Sequence, residues 1–164
     1  MSLKYSELGR SIWAADKFMR LYLKNELKKY DLNTADGMTL LVLYGVFINH
    51  VSAESILPEH CVSQEFIVNE LHFDRGVMTR TMKRLEKQGY VTRHRNVQDA
   101  RSYLFALTDK AFTFKPHLLG VLRNWTVAAL EGIPAEIVEM LENNLEIITY
   151  NAKMLYERSK DETL

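Results

Sequence analysis

The sequence predicts a mostly α-helical protein with one small β-hairpin, and three observations carry that expectation. Apolar residues recur at helical spacing over long stretches at both ends of the chain. Between them, from Ser63 to Lys87, lie two shorter helical segments separated by only a few residues. Directly after these, two runs of aromatic and β-branched residues flank a polar stretch, the pattern of a hairpin. A short helix, a turn, a second helix and two strands with a charged tip together make a winged helix-turn-helix. Helices expected on both sides of it complete the architecture.

The first helix is expected from about Tyr5 to Lys29, with Leu8, Ile12, Ala15, Met19 and Tyr22 on one stripe and Trp13, Phe18 and Leu21 beside it. Asp31-Leu32-Asn33-Thr34 ends it. A second helix follows from roughly Ala35 to Asn49, carrying Leu40, Leu41, Leu43, Tyr44, Phe47 and Ile48, and Pro58 marks the loop after it. Ser63 can cap a helix running to Leu71, with Ile67 and Leu71 facing inward and His72-Phe73 as the turn. Asp74 is a good N-cap for the next helix, because its carboxylate can accept from the free backbone N–H groups that follow. Gly89 suits the C′ position that closes it, after cations crowding the last turns. The strands are expected in Tyr90–Arg93 and Tyr103–Leu107. Thr108 can cap a long helix from Asp109 to about Leu130. Its apolar residues Ala111, Phe112, Phe114, Leu118, Leu119, Leu122, Trp125 and Ala129 cover nearly the whole circumference, which predicts burial on most sides. Pro116 inside it predicts a kink or a shifted start. After Gly132-Ile133-Pro134 a last helix carries Ile137, Leu141, Leu145, Ile148, Ala152 and Leu155 to about Arg158, with Pro134 suited to its first position.

Within the helix that follows Asp74, Met78, Met82 and Leu85 make a narrow inward stripe. Arg75, Gly76, Thr79, Arg80 and Lys83 are left on the opposite side, and Arg84 is expected among the DNA contacts with them. Small residues permit close approach to a duplex and cations meet phosphates or guanine edges, so this face can enter a major groove. A solvated charged face is the alternative reading, and the neighbouring elements decide against it. The hairpin brings Arg93, Arg95 and Arg101 to a tip beside that helix, where an arginine can reach the adjacent minor groove. Asp99 would be repelled by DNA, and its expected role is to pair with Arg93, Arg95 or Arg101 and hold the tip in shape.

These residues carry a resemblance. Thr79-Arg80 followed by Arg84-Leu85-Glu86, Gly89-Tyr90-Val91, the tip Asp99-Ala100-Arg101 and Leu107-Thr108 occur in the order and spacing of the MarR family of winged-helix transcription regulators. Gly76 stands where that family usually has a small polar residue, and Lys83 where an acidic one is common. The resemblance implies a single unit over 1–164, with a DNA-reading lobe at 35–107 and a helical dimerisation lobe built from 1–30 and 108–164. It also implies a homodimer, a surplus of apolar terminal helices being what such a dimer would use. Two-fold symmetry places two recognition helices one DNA turn apart, hence a pseudo-palindromic operator with half-sites about 10 bp apart or a multiple of that. Family members commonly act as repressors released by small phenolic or aromatic effectors bound between the two lobes. Trp13, Phe18, Tyr22, Tyr44, Phe47, Phe114, His117 and Arg123 could line such a crevice, although aromatic residues at helical spacing are more often plain core.

Composition agrees. The formal net charge is zero, but this hides an asymmetry. From His72 to Lys110 nine Lys/Arg face four Asp/Glu, giving +5 there and −5 over the remainder. The single cysteine, Cys61, excludes an intramolecular disulfide and suits a reducing cytoplasm. Some relatives sense oxidants through a cysteine, so a redox role for Cys61 is an alternative, as is a winged-helix module that binds protein rather than DNA. His50, His60, Cys61 and His72 follow no metal-ligand spacing, so neither metal nor cofactor is expected. No phosphate-binding loop, zinc-protease motif or nucleophile elbow occurs, so the chain is not expected to be an enzyme. The most apolar run, Met38 to Ile48, is too short to span a bilayer.

Overall fold

The computed structural model describes residues 3–45, 61–96 and 102–161. In chain order they form α1 (Leu3–Lys28), α2 (Thr34–Leu43), β1 (Cys61–Ser63), α3 (Gln64–Leu71), α4 (Arg75–Lys87), β2 (Val91–Arg95), β3 (Tyr103–Leu107), α5 (Asp109–Ala129) and α6 (Ala135–Asp161). The chain divides into two compact units, Met1–Trp125 and Thr126–Leu164.

The first unit is organised around α2, which packs against α1, α3 and α4. Its start is set by a reciprocal cap: the Asn33 side chain accepts from the Asp36 N–H at 3.0 Å, and the Asp36 carboxylate accepts from the Asn33 N–H at 2.8 Å. The helix ends at Leu43, short of the expected Asn49. Tyr44 closes it and Gly45 takes a left-handed φ of +76°, although the apolar run continues in sequence. Residues 46–60, which include Phe47, His50, Pro58 and His60, lie outside the described residues.

Leu40, Leu41 and Val42 of α2 are fully buried together with Ile67 of α3, Met78, Met82 and Leu85 of α4, and Ala111, Leu118 and Val121 of α5. From α1 the core takes Leu23 and Leu27, one and five residues beyond Tyr22, the last of the predicted stripe. The upstream residues Leu8, Ile12, Trp13, Phe18 and Leu21 are exposed. On α5 one stripe is buried, where burial on most sides was expected; Phe112 is half-exposed. The α5 start is unshifted at Asp109 despite Pro116 within it, because Thr108 caps it by accepting from the Ala111 N–H.

The hairpin is part of a three-stranded antiparallel sheet, order β1-β3-β2. Strand β1 was not expected; it pairs Val62 with Phe105, while β2 pairs Arg93 with Phe105 and Arg95 with Tyr103. Buried Val91 and Phe105 join the sheet to the core.

The second unit contains α6. The chain reaches it through Gly132 at a φ of +81°. Pro134 immediately precedes the helix rather than occupying its first position, and its carbonyl accepts from the Ile137 and Val138 N–H groups. Ile137, Leu141, Leu145, Ile148 and Leu155 share one face and are all exposed. Among the described residues, no helix is long and apolar enough to cross a membrane.

Candidate nucleic-acid interface

The helix-turn-helix is built from local caps. Ser63 Oγ accepts from the Phe66 N–H at 3.1 Å and starts α3. His72 ends it in a left-handed conformation, φ 49°, and so redirects the chain within a few residues. Asp74 Oδ1 then accepts from the Gly76 and Val77 N–H groups at 2.7 and 3.2 Å and starts α4. A Cβ added at Gly76 would lie 2.9 Å from that same oxygen, so glycine leaves the capping carboxylate seated. Asp74→Ala removes both acceptor contacts and should destabilise the protein by about 1 kcal/mol, measurable as a lower denaturant midpoint at unchanged m.

Helix α4 buries Met78, Met82 and Leu85 as its spacing predicts, and also Thr81. The latter lies three residues after Met78 and four before Leu85, a spacing that already marked it as inward. On the other side Arg75, Thr79, Arg80 and Lys83 are exposed, with Gly76 half-buried among them. Thr79 Oγ1 donates to the Arg75 carbonyl at 2.8 Å and accepts from Gln64 Nε2 at 3.0 Å. Gln64, the first residue of α3, therefore belongs to this surface, and the sequence reading missed it. Arg75 lies 3.9 Å from Glu65, but both side chains are mostly exposed and such a pair contributes little. Arg80 and Lys83 form no ion pair with any described residue.

Arg84 does not join this outward face. Its Nε donates to Asp36 Oδ1 at 2.9 Å and lies 2.8 Å from Oδ2 in an ion pair, and Asp36 is completely buried. Burial raises the Asp36 carboxyl above the usual carboxylate range, outweighing the opposing bonds from the Asn33 backbone and Arg84.

The C-terminal end of α4 is tied down by further bonds. Gln88 Nε2 donates to the Asp31 carbonyl at 2.6 Å, Lys110 Nζ to the Gln88 carbonyl at 2.6 Å, and Thr108 Oγ1 to the Gly89 carbonyl at 2.6 Å. In the hairpin, the Arg93 guanidinium carbon lies over Tyr103, 3.3 Å from the ring centre, so part of its cationic surface is engaged by the aromatic face. Arg95 is exposed at the end of β2. Asn96 and Ser102 close the base of the tip through Asn96 N–H to Ser102 O at 3.2 Å and Asn96 Nδ2 to Ser102 Oγ at 2.9 Å. Asp99 and Arg101 lie outside the described residues.

The residues expected around an effector occupy separate surroundings. Phe114 is core, and His117 stacks against it and against Tyr30, with Tyr30 Oη 3.3 Å from His117 Nδ1. Tyr44 Oη donates to the Ala111 carbonyl at 2.6 Å, and burial pushes its phenol far up. Tyr22 is half-buried against the core and Arg123 is exposed. Trp13 and Phe18 are 65% and 61% exposed, with Lys17 5.4 and 5.9 Å from their rings. An open groove of about 520 Å³ runs along α1 to the start of α2; it includes Trp13 and Phe73 but none of Phe18, Tyr22, Tyr44, Phe114, His117 and Arg123. Cys61 is half-buried in β1, opposite Ala106. Among the described residues, no three His, Cys, Asp or Glu side chains are grouped to hold a metal.

The comparisons agree with this geometry. The MarR family model matches residues 56–103. The regulator BilQ of Clostridioides difficile is 30% identical over 124 residues, 76% of this chain and 75% of that protein. MgrA of Staphylococcus aureus is 28% identical over 113 residues, 68% of each chain. Both carry the description HTH-type transcriptional regulator. Among solved structures, a MarR transcriptional regulator from Methanosarcina mazei superposes with a TM-score of 0.78 at 22% identity, covering 92% of this chain and 99% of that one. A mutant MarR from E. coli complexed with operator DNA superposes with a TM-score of 0.69 at 21% identity, covering 90% and 99%. These likenesses establish the fold, a mostly helical winged helix-turn-helix. With relatives that are regulators rather than enzymes, and with BilQ matched at this identity along three quarters of its length, the chain belongs to the MarR family of transcriptional regulators.

Proposed function

We propose that this protein is a homodimeric, sequence-specific DNA-binding regulator. It represses from a pseudo-palindromic operator in the cytoplasm and is released by a small aromatic or phenolic effector. The observation that carries the DNA reading is the outer face of α4, where Arg75, Thr79, Arg80 and Lys83 stand exposed around half-buried Gly76. Arg80 and Lys83 supply charge, Thr79 and Gly76 permit close approach, and the hairpin cations Arg93, Arg95 and Arg101 extend the contact along the duplex. Residues 35–107 form the reading lobe in this account. Support also comes from the mutant E. coli MarR solved with operator DNA and from AbfR solved bound to DNA.

The homodimer rests on the apolar surplus of the outer helices, contributed by 1–30 and 108–164. Leu8, Ile12 and Trp13 of α1, Phe112 of α5, and Leu141 and Leu145 of α6 are large apolar residues in water in the single chain. The effector reading rests on the aromatic residues Trp13, Phe18, Tyr22, Tyr44, Phe47 and Phe114, with His117 and Arg123 to meet a carboxylate, expected between the lobes.

A mobility-shift titration at several salt concentrations tests the DNA reading. Each neutralised phosphate adds about 0.9 to the slope of log affinity against log salt, so a steep fall in affinity is expected. Binding to duplexes that ignores salt would refute it, and a protein-docking module would give that result.

A further inference from the structure

Resting on the DNA reading above, we infer that the pair between buried Asp36 and part-exposed Arg84 is the positioning device that fixes how α4 is turned, and hence which of its side chains reach the bases. Sequence reasoning placed Arg84 among the DNA contacts; the structure gives it an inward partner instead. Asp36, in the first turn of α2, is fully buried; its Oδ1 accepts from Arg84 Nε at 2.9 Å and its Oδ2 lies 2.8 Å from the same nitrogen. The same carboxylate caps its own helix through the Asn33 N–H at 2.8 Å. One anion therefore anchors the start of α2 and, through Arg84, the side of α4.

Such an anchor is needed because the packing of α4 is permissive. Two of its buried residues are methionines, Met78 and Met82, whose flexible unbranched side chains adapt to small rotations and shifts. Apolar packing holds this helix down without strongly specifying its rotation. A charge-assisted hydrogen bond depends on direction, so the pair with Asp36 adds specification in the last turns of α4, beside the Gln64–Thr79 bond near its start and the Gln88–Asp31 bond just past its end. Arg84 lies one turn beyond Arg80 on the same helix, so rotation that strains the pair also swings Arg80.

The other end of the anchor is itself seated against α1. A Cβ on Gly37 would come 2.5 Å from the Leu27 Cδ1, so glycine permits the close approach of α2 to buried Leu27. Leu27, Gly37, Asp36 and Arg84 thus form a continuous packed path from α1 to the recognition helix. The pair is a poor candidate for a device whose purpose is stability. Burial raises the Asp36 carboxyl, so the charged form is disfavoured in the folded protein relative to the unfolded chain.

The test uses the full chain, wild type and carrying Asp36→Asn, Arg84→Gln or both. Binding is titrated over several salt concentrations against a duplex recovered by selection from random DNA and against its scrambled counterpart. Thermal midpoints are recorded alongside. Each single variant should lose at least tenfold in affinity for the selected duplex while keeping the wild-type salt slope. The preference for selected over scrambled duplex should shrink, and the double variant should be no worse than the singles. If Arg84→Gln fails to fold because it strands a buried carboxylate, Asp36→Asn, which leaves only the part-exposed Arg84 guanidinium without its partner, decides the matter.

The inference is overturned if Asp36→Asn keeps wild-type affinity and preference. It is overturned also if Arg84→Gln lowers the salt slope by about one, which would make Arg84 a phosphate contact. Equal losses on both duplexes would reduce the pair to ordinary stabilisation and overturn it as well. Wild-type protein lacking salt-dependent binding would instead refute the DNA reading itself.

Discussion

Arg80→Ala should weaken binding to a selected operator by roughly 5- to 150-fold, the equivalent of about 1–3 kcal/mol for one good base contact. Arg80 is exposed on the outer face of α4, next to Thr79 and one turn beyond Gly76, and has no ion-pair partner among the described residues. No carboxylate among the described residues competes for its guanidinium, whose planar fork matches the O6 and N7 edge of guanine. The loss should be concentrated at one position of the half-site, so that a repeated selection returns a relaxed base there. Arg95→Ala should instead weaken binding to all duplexes alike and lower the salt slope by about one. An Arg80→Ala protein with unchanged affinity and preference would remove Arg80 from the reading surface.

Leu85→Ala should cost about 2–5 kcal/mol of folding stability. Leu85 is fully buried on α4 within the cluster that includes Ile67, Met78 and Leu118, and its carbonyl also accepts from the Tyr90 N–H at 2.9 Å. Truncation leaves a cavity against the helix that carries the proposed reading face. Native domains are stable by only about 5–15 kcal/mol, so the thermal midpoint should drop by roughly 5–20 °C at this chain length. The flexible methionines nearby can partly fill the gap, which favours the lower part of that range. A midpoint within a degree or two of wild type would show that the α4 core is looser than its burial implies.

The parts of the fold legible in sequence were those set by local chemistry. Ser63, Asp74 and Thr108 each have a side-chain oxygen at the start of a helix, and the structure shows all three accepting from the first turn. Gly89, with φ at +74°, closes α4 as its position after the cationic turn predicts. Long-range features were harder to see. Strand β1 is only three residues, too short to show a period, and its partner β3 comes after both α3 and α4 in the chain. The end of α2 was hidden because apolar residues continue past Gly45, and periodicity extended the helix through them. On α1, apolar residues wrap so much of the surface that no stripe singled out Leu23 and Leu27.

The candidate surface divides in the same way. The exposure of Arg75, Thr79, Arg80 and Lys83 follows from helical spacing alone once Met78, Met82 and Leu85 are placed inward. The inward turn of Arg84 depends on Asp36, a residue of another helix, and no pattern within α4 could disclose it. Gln64 reaches Thr79 from the start of α3, again a contact between elements. The aromatic residues expected to line one crevice are distributed between the core, the Tyr30–His117 stack and the exposed side of α1, because aromatic residues serve packing and surface roles equally well.

Selection of bound fragments from random duplex DNA by the purified full-length chain, followed by sequencing, puts the whole account at risk in one step. The enriched fragments should contain an inverted repeat whose half-sites are centred about 10 bp apart or a multiple of that, as two α4 helices related by a two-fold axis require. Recovery of no enriched sequence, or of a single half-site without its inverted mate, would contradict a dimer that reads DNA through α4.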